Sequence, residues 1–154
     1  MRRRLRHVFQ ALRAPLCAMK PLPDIARIMT REVITVTPGT DLLRAMQLMA
    51  LHGISGLPVI DAEDRLVGML SQRDCLKAAL HASYHDAQPG RAAEAMHAPV
   101  ESLPADLDIL SAIEKFLDSR YRRFPVLEEG RIIGILTRGD LVRALAELGG
   151  LSDP

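Results

Sequence analysis

A seven-residue phrase, or motif, occurs twice in this 154-residue chain, with a hydroxyl residue in its middle and an aspartate at its end. It reads GMLSQRD the first time and GILTRGD the second, and it places Ser71 three residues before Asp74 and Thr137 three residues before Asp140. Such a pair can form a helix-capping box, in which the two side chains satisfy backbone N–H groups at the start of a helix. The same position can hold a sugar phosphate, because a helix start attracts phosphate and a carboxylate accepts hydrogen bonds from ribose hydroxyls.

The repeated phrase is part of a longer internal duplication. Matching residues recur 66 or 67 positions apart, among them Met29 and Met96, Pro38 and Pro104, Pro58 and Pro125, and Gly68 and Gly134. Two copies of a unit of about 60 residues are the simplest explanation. We therefore predict a basic leader and linker over 1–23, a first repeat over 24–82, a connector over 83–90, a second repeat over 91–148 and a tail over 149–154.

Each copy contains the same order of predicted elements. In the first copy the β-branched run at 33–36 predicts a short strand, and Thr40 is placed to cap the helix that follows. The corresponding helix of the second copy is expected to start near Asp106. Two apolar runs joined by a polar turn then predict a hairpin, and the repeated phrase leads into a last helix. The predicted fold class is α/β (α+β), with two pseudo-symmetric βαββα repeats packed sheet to sheet.

Composition and charge exclude several classes of function. Apolar residues make up 48% of the chain, but no apolar run approaches the roughly 20 residues of a membrane span. Six basic residues and no acid lie in the first 20 positions, so the remainder is mildly acidic and nucleic acid is not an expected partner. Residues 2–14 could form a basic amphipathic helix on a membrane surface, although a solvated leader is the preferred interpretation. Two cysteines favour a reducing cytoplasm.

The ordered set of motifs resembles a tandem cystathionine-beta-synthase (CBS) domain pair, or Bateman module, over roughly residues 24–148. The matching segments are DIARIMTREVITVTPGT, HGISGLPVIDAEDRLVGMLSQRDCL and, in the second copy, RFPVLEEGRIIGILTRGDL. No other part of the sequence resembles a catalytic domain, so we expect a stand-alone regulatory module and no enzyme. The resemblance implies that the Ser/Thr-x-x-Asp phrase contacts the ribose and phosphate of an adenine nucleotide.

The resemblance also implies two clefts, each combining residues of both repeats. One would join Ser71 and Asp74 with the region of His97 and with Arg122 and Arg123. The two arginines can form charge-assisted hydrogen bonds to phosphate, so phosphorylated adenosine compounds are expected to prefer this cleft. The other cleft would join Thr137, Asp140, Ser55, Gly56 and the region of Arg31. The candidate ligands are AMP, ADP, ATP and S-adenosylmethionine, and no cofactor is required.

Two kinds of protein partner are expected besides the nucleotide. The first is a regulated protein that the sequence does not identify. The second is another copy of the chain, because a flat two-repeat module leaves apolar helix surface uncovered. The surface expected to form this homodimer includes Leu42, Met46, Met49, Ile109 and Ile113.

The same residues also allow other interpretations. If the clefts bind nothing, the repeated phrase is only a helix cap and the chain is a constitutive interaction or scaffold protein. His81 and His85 could share a metal ion if a helix ran through both, but no acid or cysteine completes a ligand set at a recognisable spacing and residues 83–90 read as a connector, so no metal site is predicted. Cys75 occupies an apolar helix position, which favours a buried small hydrophobic residue over a reactive thiol.

Overall fold

The computed structural model describes residues 22–148, so most of the predicted leader, including residues 2–14, and the tail lie outside the described residues. A 3₁₀ turn at Ile25–Arg27 is followed by α1 (Leu42–His52), β1 (Gly56–Ile60), β2 (Leu66–Ser71), α2 (Gln72–Tyr84), α3 (Ala92–Ala95), β3 (Leu103–Pro104), α4 (Ile109–Asp118), β4 (Arg123–Glu128), β5 (Arg131–Thr137) and α5 (Arg138–Leu148). The strands of the described part form a β1–β2 sheet and a β3-β4-β5 sheet. The mixed α/β class is thereby confirmed. None of the helices between residues 22 and 148 combines the length and hydropathy needed to cross a bilayer.

The described residues cluster into two compact units that alternate along the chain: 22–30, 103–126 and 134–148 form unit 1, and 31–102 with 127–133 form unit 2. The start of the first copy thus belongs to the unit that contains most of the second copy. Within unit 1 the Ile25 N–H donates to the Leu107 carbonyl at 3.0 Å. Thr30 and Ile135 exchange two backbone hydrogen bonds, each 2.9 Å long. These bonds attach the first described segment to β5 and to the turn before α4.

Unit 2 is built around the antiparallel β1–β2 hairpin. Its core contains small aliphatic and sulfur side chains, in agreement with the scarcity of aromatic residues: Val36, Leu42, Ala45, Met49, Leu57, Val59, Leu70, Cys75 and Ala92. Cys75 is buried, as predicted, and burial raises the pKa of its thiol, with the nearby Asp74 charge acting in the same direction. A neutral buried thiol is a packing residue.

The predicted strand over 33–36 is reduced to one residue. Only Val36 pairs, in a parallel bridge to Val59 of β1. Its N–H donates to the Pro58 carbonyl at 3.0 Å. The prediction of a regular strand was wrong, because residues 33–35 make no ladder pair and the turn at 38–39 ends the segment after Val36.

Helix α1 is capped by the residue after the predicted one. The Asp41 carboxylate accepts a hydrogen bond from the Leu43 N–H at 2.8 Å. The prediction that Thr40 is the cap was wrong, because its hydroxyl accepts from the Thr37 N–H at 3.0 Å and closes the preceding turn. Thr and Asp are both good capping residues, so composition alone does not separate them.

Helix α4 also begins at an aspartate, and later than predicted. Asp108 Oδ1 accepts from the N–H groups of Leu110 and Ser111, each at 3.0 Å, and Oδ2 accepts from the Ser111 hydroxyl at 2.6 Å. The predicted start near Asp106 was therefore wrong. The Ser111 hydroxyl, followed by the backbone N–H groups, lowers the pKa of the Asp108 carboxyl.

Replacing Asp108 by alanine is expected to destabilise the chain by about 1 kcal/mol at neutral pH. A carboxyl whose pKa is lowered by folding contributes stability that is present above its unfolded pKa and is lost as the pH falls through its folded pKa. The difference between wild type and Asp108→Ala should therefore shrink below about pH 4. Urea unfolding at a series of pH values measures it, with Asp106→Ala as a neutral control. An unchanged difference in acid would contradict this role of the cap.

The predicted dimer residues are mostly core residues. Leu42 and Ile109 are 0% exposed and Met49 is 2% exposed, because their helical spacing marks the face that packs inward. Met46 and Ile113 are partly buried. The large apolar side chains that are exposed lie at other positions: Leu43, Leu51, Leu76, Leu80 and Tyr84 in unit 2, and Leu117 and Val142 in unit 1.

Candidate functional site

The first copy of the repeated phrase forms the start of α2. Ser71 ends β2 in an extended conformation (φ −103°, ψ 162°) and is the N-cap residue of the helix. Its hydroxyl accepts from the Asp74 N–H at 3.2 Å. Asp74 Oδ2 accepts from the Ser71 N–H at 2.8 Å and also from the Ser71 hydroxyl. The capping box is present, and it uses one carboxylate oxygen, Oδ2.

His97 lies next to the same carboxylate. Its Nδ1 is 3.6 Å from Asp74 Oδ2, and the side chains of His97 and Asp74 are 46% and 20% exposed. The backbone of His97 is fixed by two hydrogen bonds with Met69 of β2, at 3.0 and 3.1 Å. Unit 2 therefore brings Ser71, Asp74 and His97 together in a group that solvent can reach, while the binding of a ligand by this group stays a prediction.

Gly68 makes room for the segment that carries His97. A Cβ atom on Gly68 would lie 2.5 Å from Met96 Sδ, closer than atoms can pack. Unit 1 has the same arrangement, since a Cβ on Gly134 would overlap the side chain of Met29. In each unit the glycine thus leaves room for one of the two methionines that recur at the repeat spacing.

The second copy of the phrase makes the same capping box in unit 1 but encloses its carboxylate. Asp140 Oδ2 accepts from the N–H and the hydroxyl of Thr137, both at 2.8 Å, and the Thr137 hydroxyl accepts from the Asp140 N–H at 3.3 Å. The other oxygen, Oδ1, is 3.5 Å from Arg143 Nη1. The Asp140 side chain is 6% exposed. Sequence reasoning missed Arg143, although a basic residue three positions after an aspartate in a helix is a recognisable pairing signal.

The two aspartates therefore differ in what they can bind. A ribose donates its hydroxyl hydrogens to acceptor lone pairs, so the carboxylate must have an accessible oxygen. Asp74 is partly exposed and its capping box occupies Oδ2. Asp140 is buried. Its capping box uses Oδ2, and the guanidinium of Arg143 lies beside the other oxygen, Oδ1. Of the two carboxylates, that of Asp74 is therefore the more accessible to an external hydrogen-bond donor.

Ser55 and Gly56 lie beside the first copy of the phrase in unit 2. Gly56 pairs with Ser71 in the β1–β2 ladder. The Ser55 carbonyl accepts from the N–H of Gln72, the first residue of α2, at 3.0 Å. Arg31 also belongs to unit 2 and is exposed. Thr137 and Asp140 are residues of unit 1, and their predicted association with Ser55, Gly56 and Arg31 stays a prediction of the resemblance.

Arg122 and Arg123 belong to unit 1, at the start of β4. Arg122 is exposed and Arg123 is partly buried. Burial, and next the charge of Arg122, lower the pKa of the Arg123 guanidinium. Arginine nevertheless stays protonated in proteins, so both side chains keep the charge that phosphate recognition needs. Their predicted association with Ser71 and Asp74 stays a prediction.

The chain contains two copies of a unit of strands and helices, and in each copy the last helix begins with the same capping box. This arrangement defines a tandem-repeat α/β protein. The family model of the CBS domain matches the chain twice, over residues 25–81 and 92–147. The chain belongs to the CBS-domain family, and the sequence-based identification of a tandem pair is confirmed.

Proteins similar to this chain include both small CBS-pair proteins and larger enzymes. The crystal structure of CBSX2 of Arabidopsis thaliana in complex with AMP is 29% identical at a TM-score of 0.73, covering 82% of this chain and 98% of that one. Hypoxic response protein 1 of Mycobacterium tuberculosis is 33% identical over 120 residues, which are 78% of this chain and 83% of that protein. Inosine-5'-monophosphate dehydrogenase of Methanocaldococcus jannaschii is 32% identical over 117 residues, which are 75% of this chain. The chain spans only 22% of that enzyme's length.

Proposed function

We propose that this chain is a regulatory module that binds an adenosine-containing nucleotide, with Ser71, Asp74 and His97 among the contacts. The observation that carries the proposal is the partly exposed Asp74 carboxylate, which lies at the start of α2 next to a hydroxyl and an imidazole. A helix start favours phosphate through its N–H groups and dipole. The AMP complex of the similar protein CBSX2 supports this class of ligand.

Helix capping and ribose binding are compatible roles for Asp74. Its Oδ2 holds the capping box and positions the carboxylate, and its Oδ1 is assigned to the ribose hydroxyls. The Ser71 hydroxyl is assigned to the neighbouring phosphate, to which it donates once its hydrogen bond to Asp74 is released, and the dipole at the start of α2 favours the phosphate charge. Arg122 and Arg123 are the proposed partners of the outer phosphates. AMP, ADP, ATP and S-adenosylmethionine are the candidate ligands, and a regulated protein partner completes the proposal.

Thermal unfolding in the presence of each candidate ligand tests this function. A ligand at one hundred times its dissociation constant stabilises the native state by about 2.7 kcal/mol, which raises the Tm of a domain of this size by several degrees. Adenosine, AMP and ATP are expected to raise the Tm, whereas inorganic phosphate at the same concentration is not. If no adenosine compound raises the Tm, the capping boxes alone explain the repeated phrase and the chain is an interaction or scaffold protein.

We also propose that the module forms a homodimer through an apolar stripe on α2, defined by Leu76, Leu80 and Tyr84. These side chains are 67%, 58% and 78% exposed. They are spaced four residues apart, so they lie on one face of the helix. In a dimer with twofold symmetry both copies use the same surface, so a twofold axis through this stripe packs it against the stripe of the other copy.

Leu80→Glu is expected to shift the protein from dimer to monomer, because two buried carboxylates would face each other near the proposed axis. Static light scattering at micromolar concentration measures the mass. Leu117→Glu in unit 1 is a matched control, since Leu117 is also 58% exposed. A wild-type chain that is monomeric, or a Leu80→Glu variant that is still dimeric, would contradict the proposed interface.

A further inference from the structure

Helix α2 carries two histidines one turn apart at its C-terminal end. The helix runs through Tyr84, and His85 is its C-cap residue. It thus extends two residues into the segment predicted as a connector over 83–90. One sequence-based ground against a shared role for His81 and His85 was that they lie in or next to a connector, and the helix instead reaches His85 as its C-cap residue. The other ground, that no acid or cysteine completes a ligand set, is consistent with the described residues.

The two imidazole rings have a spacing close to that of a chelating pair. Their centroids are 4.4 Å apart and the ring planes are inclined by 51°. A metal ion bound at about 2.1 Å from one nitrogen of each ring would hold the centroids about 5 Å apart. Both side chains are exposed, so a small rotation about the side-chain bonds is enough to reach that spacing.

The surroundings of the pair can accept a hydrated cation. Both histidines line a cavity of about 480 Å³ formed by α2, the following loop and α3, all within unit 2. The other polar side chains that line it are the carboxylates of Asp74 and Glu94, the amide of Gln88 and the ammonium of Lys77, so acidic groups outnumber the basic one. In residues 22–148 no set of three His, Cys, Asp or Glu side chains is arranged around one metal position. The protein would therefore supply two nitrogen ligands, and water the others.

We propose that His81 and His85 form a bidentate site for a divalent transition-metal ion. Neutral imidazole is a good ligand for Zn²⁺, Ni²⁺ and Cu²⁺, and Mg²⁺ and Ca²⁺ prefer oxygen ligands. The bound ion joins the last turn of α2 to the residue that ends the helix, so it stabilises the helix end against fraying. Asp74 precedes His81 by seven residues, about 10 Å along the helix axis, so the two imidazole ligands of the metal are distinct from the carboxylate assigned to the nucleotide, although all three line the same cavity.

Isothermal titration of the full chain, purified without a histidine tag, with Zn²⁺ or Ni²⁺ alone tests this site. We expect one ion per chain in the wild type and a loss of affinity of at least an order of magnitude in both His81→Ala and His85→Ala. His52→Ala is the matched control, because His52 is also exposed near a helix end but has no histidine one turn away. It should bind the ion as the wild type does.

A thermal-unfolding readout makes the result independent of heats of dilution. Zn²⁺ should raise the Tm of the wild type and of His52→Ala, and leave the Tm of the His81→Ala/His85→Ala double variant unchanged. Unaltered affinity in the single variants, or a wild type that does not saturate, would overturn the proposal. Loss of metal binding in His97→Ala with full binding in the double variant would place the ion elsewhere and would also overturn it.

Discussion

Asp74→Ala is expected to weaken the binding of AMP by roughly ten- to a hundredfold, and Asp140→Ala by much less. Losing hydrogen bonds to a charged group costs about 1.5–3 kcal/mol, which converts to that loss of affinity. The asymmetry follows from the two side chains, because Asp74 is partly exposed whereas Asp140 is buried beside Arg143. Unphosphorylated adenosine should lose affinity for Asp74→Ala as well, since the contact assigned to Asp74 is the ribose.

Asp140→Ala is a matched control for the loss of the helix cap. Both substitutions remove a carboxylate that closes a capping box with the residue three positions earlier. Any general effect of destabilising a helix start should therefore appear in both variants. Isothermal titration below the unfolding temperature of each variant isolates the ligand contact. Equal weakening by the two substitutions, or a stronger effect of Asp140→Ala, would contradict the assignment of the ribose to Asp74.

Gly68→Ala is expected to destabilise the chain by about 1–3 kcal/mol, the usual cost of adding a methyl group to a packed position. The added Cβ would lie 2.5 Å from Met96 Sδ, so Met96 must move. His97 is the next residue, and its imidazole is near Asp74. The substitution should therefore weaken nucleotide binding as well as stability. Urea unfolding and titration of the same variant measure both effects.

The double variant Gly68→Ala/Met96→Ala separates steric overlap from other effects of the glycine. Removing the Met96 side chain creates the space that the new Cβ needs, so the two substitutions should be non-additive by about 0.5–3 kcal/mol. Gly134 and Met29 in unit 1 provide an independent repeat of the same cycle. Additive losses in both cycles would show that the glycines are required for another reason.

The sequence was sufficient to predict the features that depend on local spacing or on duplication. The offset of 66 or 67 residues between Met29 and Met96 and between the two glycines predicted the repeats, and the Ser71 and Asp74 spacing predicted the capping box. Features set by tertiary pairing were not predictable in the same way. Val36 forms one bridge where a strand was expected, because pairing depends on which strand lies beside it and not on β propensity alone.

The alternation of the two units along the chain could not be predicted from local sequence patterns. The segment ending at Thr30 is paired with Ile135 of β5, more than one hundred residues later in the chain. Hydrophobic periodicity identifies a segment as helix or strand but carries no information on its distant partner. The burial of Asp140 was likewise invisible, because both copies of the phrase read alike and the difference comes from Arg143 and from packing.

A crystal structure of the chain grown with AMP tests the proposed function most directly. We predict that the ribose hydroxyls donate to the Asp74 carboxylate, with the phosphate near the Ser71 hydroxyl and the first turn of α2. Asp140 is predicted to keep Arg143 as the partner of Oδ1. Crystals that contain no AMP at saturating concentration, or AMP whose ribose contacts Asp140 and leaves Asp74 free, would contradict the proposal.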